Sequence, residues 1–171
     1  VTILVVLVLL SVMLLGGLAL ARLTEIGTLA SGNAAYHEAS VQASDIGINT
    51  AYAAVQALTD ENAAITSWYS PTALAKDSNG LPLGVAWDSA PSITVGTLTV
   101  QYVAERACTV TPVTDPLRQC LVKQDPHPPP SSRVFGAQQL DPPNSRQFRI
   151  TVMVTGPKGT QTWVQSLVTK G

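Results

Sequence analysis

Few residues in this chain could do chemistry, and they are scattered. Two cysteines, Cys108 and Cys120, and two histidines, His37 and His127, are the only residues of their kinds in 171. The chemistry open to the cysteines depends on compartment. Outside the cytoplasm they form a disulfide by default, and in a reducing compartment they stay two free thiols. Zinc is disfavoured, because neither histidine stands at metal-ligand spacing from the pair. His37 is followed by Glu38 inside a helical pattern, where a surface pair is expected rather than an acid–base site. His127 lies between prolines in DPHPPPSS and is expected to be a solvated loop residue. There is no nucleophile elbow, no Walker loop and no HExxH. The expectation is therefore a protein that is not an enzyme, with no cofactor and no metal.

The elements that carry these residues begin with an apolar stretch. Residues 1–21, VTILVVLVLLSVMLLGGLALA, hold no charge, and Arg22 is the first ionisable side chain. A run of about 18 or more apolar residues suffices to span a bilayer as a helix. It has no basic region in front of it, so it does not have the form of an intact secretory signal. Gly16 and Gly17 are its weak point, each costing roughly 1 kcal/mol of helix propensity relative to alanine. They allow local unwinding or the close approach of a neighbouring helix. No proline occurs before Pro71, so the helix is expected to continue to about Leu58. At 1.5 Å per residue such a rod would be roughly 85 Å long, more than a small domain can bury. Val41, Ile48, Tyr52 and Val55 recur at helical spacing and are expected to pack on the head, with Asp45 and Asn49 on a more polar strip. Gly27, Gly32 and Gly47 lower propensity and foretell curvature or small-residue contacts.

Three parts follow: an apolar segment 1–22, a helical continuation 23–58 and a head 59–171. Asp60, Glu61 and Asn62 are expected to cap a short helix over 63–69, which Ser70 and Pro71 end. Residues 77–80, DSNG, make a turn, and Trp68, Tyr69 and Trp87 are expected as core or lid aromatics. Residues 97–104 alternate as a strand, with Gly96 marking a bulge or phase change. A short strand is allowed at Leu121 and Val122, and the proline run over 124–132 must be extended and exposed. Phe148, Ile150, Val152 and Val154 form the clearest alternation, and 160–169 returns after the turn GPKG. Helix first and an antiparallel meander afterwards predict an α+β head, with its sheet on the helix.

Net charge is −1, which argues against a nucleic-acid partner. The charge is uneven. Residues 22–58 carry Arg22 against Glu25, Glu38 and Asp45, whereas 146–171 carry Arg146, Arg149, Lys158 and Lys170 with no acid. Opposite-sign surfaces of this kind would suit repeated subunit contacts, and a solvated face is the plainer alternative.

The order of parts resembles a type IV pilin or pseudopilin, and more narrowly a PilX-type minor pilin. The likeness rests on VTILVVLVLLSVMLLGGLALAR, on SGNAAYHEASVQASDIGINTAYAAV and on FRITVMVTGPKGTQTWVQSLV; residues 59–145 add nothing to it. The resemblance implies a long helix packed by its C-terminal half on a small antiparallel sheet. It implies a leader removed before Val1 by prepilin peptidase, insertion in the bacterial inner membrane with the head outside, and delivery by a pilus assembly platform into an extracellular filament. The partners are then other pilin subunits, and the assembly helix holds Val5, Leu10, Gly16, Gly17 and Arg22.

One departure carries weight. Most pilins have glutamate where this chain has Val5, and that carboxylate is taken to meet the N-terminal ammonium of an adjoining subunit in the apolar filament core. A lone buried charge is costly, so such a pair makes physical sense. PilX-type minor pilins and the K-type minor pseudopilins of type II secretion can lack it, which favours a minor, priming or tip role. A major subunit lacking the glutamate, or a single-span membrane-anchored binding module, are the alternatives.

Overall fold

The computed structural model describes residues 1–122, 145–157 and 159–170. The proline run, His127 and Lys158 lie outside the described residues. One long helix, α1 (Thr2–Gln56), opens the chain. Two compact units divide it, Val1–Ala39 and Ser40–Gly171. The division falls where burial begins: every residue before Ser40 is exposed, and Ser40 is the first buried one.

In the second unit the helix buries Ser40, Ala43, Ser44, Gly47, Ala51 and Val55, a three-and-four spacing that makes one stripe. The stripe is built of small residues because the helix backbone lies close on the sheet. A Cβ at Gly47 would stand 2.6 Å from Val100 Cγ1 and 2.8 Å from Val152 Cγ1. The hydroxyl of Ser44 is satisfied within the helix, donating to Val41 O at 2.6 Å. This corrects the packing face expected from sequence. Val55 is fully buried and Ile48 sits at the border of the core, but Val41 and Tyr52 are 37% and 39% exposed. Side-chain size was the wrong signal where a tight helix–sheet approach selects small residues.

The sheet holds five strands: β1 (Tyr69–Ser70), β2 (Ser92–Val95), β3 (Leu98–Arg106), β4 (Arg146–Thr155) and β5 (Gln161–Lys170). Strands β2, β3, β4 and β5 run as an antiparallel meander, whereas β1 pairs parallel to β3, so the sheet is mixed rather than purely antiparallel. Across the register Val100 faces Val154, Tyr102 faces Val152 and Ala104 faces Ile150. With Phe148 these form the face that shares a core with Ala43, Ala51 and Val55. Alternation puts Gln101, Val103, Glu105, Thr151 and Met153 on the opposite face.

That opposite face is covered by the segment between β1 and β2. Leu74 N–H donates to Glu105 Oε2 at 2.6 Å, and Gln101 Nε2 donates to Trp87 O at 2.7 Å. Gln165 Nε2 donates to Gly80 O at 2.9 Å, and Trp87 meets Trp163 edge-on with ring centroids 4.9 Å apart. The sheet is therefore a middle layer, between a helix and an irregular strap.

Two local expectations are corrected. Residues 63–69 form no helix. Ile65 and Tyr69 exchange backbone hydrogen bonds at 3.0 and 2.8 Å, and Ala104 N–H reaches Trp68 O at 2.7 Å. A helix of two turns is marginal by itself, and pairing along β3 wins. Asp60 still serves as a turn former, accepting from Asn62 N–H at 2.8 Å. Gly96 is no bulge. With Thr97 it forms the two-residue loop between the paired Val95 and Leu98, and its φ of +60° suits the first position of a II′ turn. The strand allowed at Leu121 and Val122 is reduced to isolated bridges, Cys108 to Cys120 and Val122 to Arg146.

Candidate assembly surface

The unit Val1–Ala39 has an unusual surface. Its most apolar window has a mean hydropathy of 3.0 with none of it buried, and α1 is long and apolar enough to cross a membrane. Large side chains point out on every side; Leu4, Leu7, Leu10 and Leu14 are all more than half exposed. Val5 belongs to the same belt, and Val1 and Arg22 are exposed at its two limits. The few hydroxyls are tied back to the helix: Ser11 Oγ donates to Val8 O and Thr24 Oγ1 to Ala21 O, each at 2.8 Å. Between Ile3 and Ala21 the side chains are thus apolar apart from the tied-back Ser11. At roughly 1.5–3 kcal/mol for each large side chain, keeping this surface wet would cost tens of kcal/mol.

The belt is indented on one face. Leu10, Met13, Leu14, Gly17, Leu18 and Ala21 line a shallow notch, at alternating steps of three and one along a single face. Gly17 is its low point, because it has no side chain between the leucines. A Cβ at Gly16, Gly17, Gly27 or Gly32 would meet nothing within 4 Å, unlike one at Gly47. Among the described residues, nothing packs where those four side chains would stand.

In the second unit, the charged residues near the end of α1 form a closed cluster. Glu61 lies 3.7 Å from Arg106 and 3.3 Å from Lys170, and it also pairs with Arg146. Lys170 Nζ donates to Val55 O and Leu58 O, both at 3.0 Å. The last turn of α1 has no basic residue of its own, so β5 supplies the cation that complements the C-terminal carbonyls. Arg106, 1% exposed, donates from Nε to Pro71 O and from Nη2 to Asn62 Oδ1, each at 3.0 Å. Tyr69 OH donates to the Glu61 carbonyl at 2.7 Å, and burial pushes its phenol up to about 12. Burial also raises the Tyr102 phenol. On the opposite sheet face, Arg149 pairs with Glu105 at 2.5 Å.

These pairs qualify the expectation of a basic surface, because Arg146, Arg149 and Lys170 each have a carboxylate partner. Arg146 and Lys170 share the Glu61 carboxylate with Arg106, and Arg149 pairs with Glu105, so the cluster around Glu61 keeps an excess of positive charge. Sequence reasoning missed Glu105 and Arg106 as structural residues, and expected Glu61 in a helix cap rather than in an ion cluster. A signal was present: Arg106 continues the inward phase of Leu98, Val100, Tyr102 and Ala104, and Arg146 that of Phe148 and Ile150. A charge in an inward phase calls for a buried partner.

Cys108 and Cys120 are bonded to each other. The loop they close is held to the Asp60–Asn62 turn, with Thr111 Oγ1 donating to Asn62 O at 3.2 Å and Val113 N–H to Asn62 Oδ1 at 3.4 Å. Among the described residues no three His, Cys, Asp or Glu side chains gather to hold a metal. Comparison with protein families, curated proteins and solved structures returned no match.

Proposed function

We propose that this chain is a structural subunit of a type IV pilus-like filament, of the PilX-type minor class, which assembles through residues 1–22. One observation carries the reading: a helical segment apolar and exposed on all sides, joined to a head with its own closed core. A helix hydrophobic all round belongs in apolar surroundings. Lipid of the inner membrane provides them before assembly, with the head outside, and equivalent helices of other subunits provide them afterwards. The pilus assembly platform makes the transfer. Gly17 in its notch lets a neighbouring helix come close. Val5, in place of the usual glutamate, favours a priming or tip position over the filament shaft. Nucleic acid, cofactor and catalysis have no part in this reading.

The test separates assembly from anchoring. An aspartate in an apolar helix surround costs roughly 2.5–3.5 kcal/mol, so Leu10→Asp should cut recovery in sheared filaments on the order of a hundredfold. Gly17→Leu makes the segment more apolar while filling the notch. It should keep the chain in the membrane fraction and lower its incorporation. Wild-type levels of both variants in sheared filaments would leave residues 1–22 as an anchor only, and the membrane-anchored binding module would replace the filament reading.

A further inference from the structure

The strap over the sheet carries a covalent chemistry of its own. Lys76 and Pro82 bridge antiparallel, Asp77 N–H donates to Leu81 O at 2.9 Å, and Gly80 N–H donates to Asp77 O at 3.1 Å. Ser78, Asn79 and Gly80 make the reversal, with Gly80 at a φ of +81°. That left-handed residue completes a three-residue hairpin loop, and glycine takes it without strain. The Asp77 carboxylate braces the loop: Oδ1 accepts from Asn79 N–H at 2.9 Å and from Leu81 N–H at 2.8 Å. From the other side Gln165 holds Gly80 O. Asn79 itself is exposed.

An asparagine followed by glycine is open to attack on its side-chain amide, because no Cβ hinders the next backbone nitrogen. Of Asn33, Asn49, Asn62, Asn79 and Asn144, only Asn79 precedes a glycine. Asn33 and Asn49 lie within α1, and Asn62 Oδ1 is engaged by Arg106 and Val113. We propose that Asn79 is a site of spontaneous deamidation, and that the Asp77-braced turn is its brake. The Gly80 nitrogen gives its proton to a solvent base and attacks Asn79 Cγ. The N–Cγ bond forms, the amide nitrogen takes a proton back from the solvent acid, the Cγ–Nδ2 bond breaks, and ammonia leaves. One water then opens the cyclic imide at either carbonyl, giving aspartate or isoaspartate; nothing is oxidised or reduced. In the closed turn the Gly80 N–H is engaged by Asp77 O, so attack proceeds from an opened turn, and every contact that closes the turn slows it. The product places a second carboxylate beside Asp77 and loosens the strap from β5.

The test uses the full chain in detergent micelles, aged at 37 °C in mildly alkaline buffer. Trypsin, cutting after Arg22, Lys76 and Arg106, yields peptide 77–106, whose sole asparagine is Asn79, and peptide 23–76, which holds Asn33, Asn49 and Asn62. The 77–106 peptide should gain one mass unit with time and accept methyl from an isoaspartate methyltransferase, well ahead of the 23–76 peptide. Asn79→Gln should abolish the gain. Asp77→Ala and, independently, Gln165→Ala should speed it several-fold in chains whose tryptophan fluorescence matches wild type. Equal rates in the two peptides would overturn the site, and unchanged rates in both braced-turn variants would overturn the brake.

Discussion

Gly47→Ala asks directly whether the close approach of α1 to the sheet holds the head together. The added Cβ would stand 2.6 Å from Val100 Cγ1 and 2.8 Å from Val152 Cγ1. Comfortable carbon–carbon separations begin near 3.5 Å, so the neighbours must give by somewhat less than about 1 Å. Both valines are fully buried, and β-branched side chains have few χ1 alternatives. The strain therefore falls on the helix position. Overpacking of this kind costs roughly 1–3 kcal/mol. Replacing glycine by alanine within a helix returns about 0.8–1 kcal/mol. The net expectation is a loss of about 1 kcal/mol, measured by urea unfolding of the full chain in detergent micelles. Tryptophan fluorescence reports on the right unit, because Trp68, Trp87 and Trp163 all lie within Ser40–Gly171. Gly32→Ala, whose Cβ meets nothing within 4 Å, is the control and should lose no stability. A Gly47→Ala chain more stable than wild type by about the full propensity gain would refute the tight contact.

Other outcomes follow from the same contacts. Glu61→Gln leaves Arg106 without its carboxylate and should cost about 3 kcal/mol in the same unfolding assay, the low end for breaking a buried pair because Arg146 keeps some water. Replacing Cys108 and Cys120 together by alanine should cost about 3 kcal/mol, the loop-closure value for a link of this span. Tyr69, whose phenol is pushed up to about 12, contributes stability in full below pH 10 and loses it as pH rises toward 12. Across that window wild type should fall by about 1.4 kcal/mol per pH unit more steeply than Tyr69→Phe.

The sequence was most legible where the period is simple and both neighbours agree with it. Phe148, Ile150, Val152 and Val154 alternate, and all four are inward residues of β4. The apolar run and the absence of proline before Pro71 sufficed to foresee α1. The helix face was not legible by the same rule. Val41 and Tyr52 carry the larger side chains, but Ser40, Ala43, Ser44 and Gly47 are the ones covered, since a helix pressed against Val100 and Val152 has room for little else. Strand β1 was hidden because its two residues gain their pairing from β3 rather than from a pattern of their own. The charge cluster was hidden for a related reason: Glu61, Arg106 and Lys170 are far apart in the chain, and only the fold brings them to the end of α1.

The glycines of α1 bring fold and proposed function into one argument. Each costs the helix roughly 1 kcal/mol relative to alanine, so each calls for a compensating reason. Gly47 has one inside the chain, because two buried valines occupy the space a Cβ would take. Gly16, Gly17, Gly27 and Gly32 have none there, since around them is open space and no described residue touches the place a side chain would fill. In a solitary membrane anchor, alanine at those positions would make a better helix. On the filament reading the compensation comes from other copies: a bare backbone lets neighbouring helices approach, and a looser helix can adjust its length as it passes from lipid into a bundle. The two readings therefore diverge on one double substitution. Alanine at both Gly16 and Gly17 should leave membrane insertion intact or improve it, and on the filament reading it should lower the yield of assembled subunit.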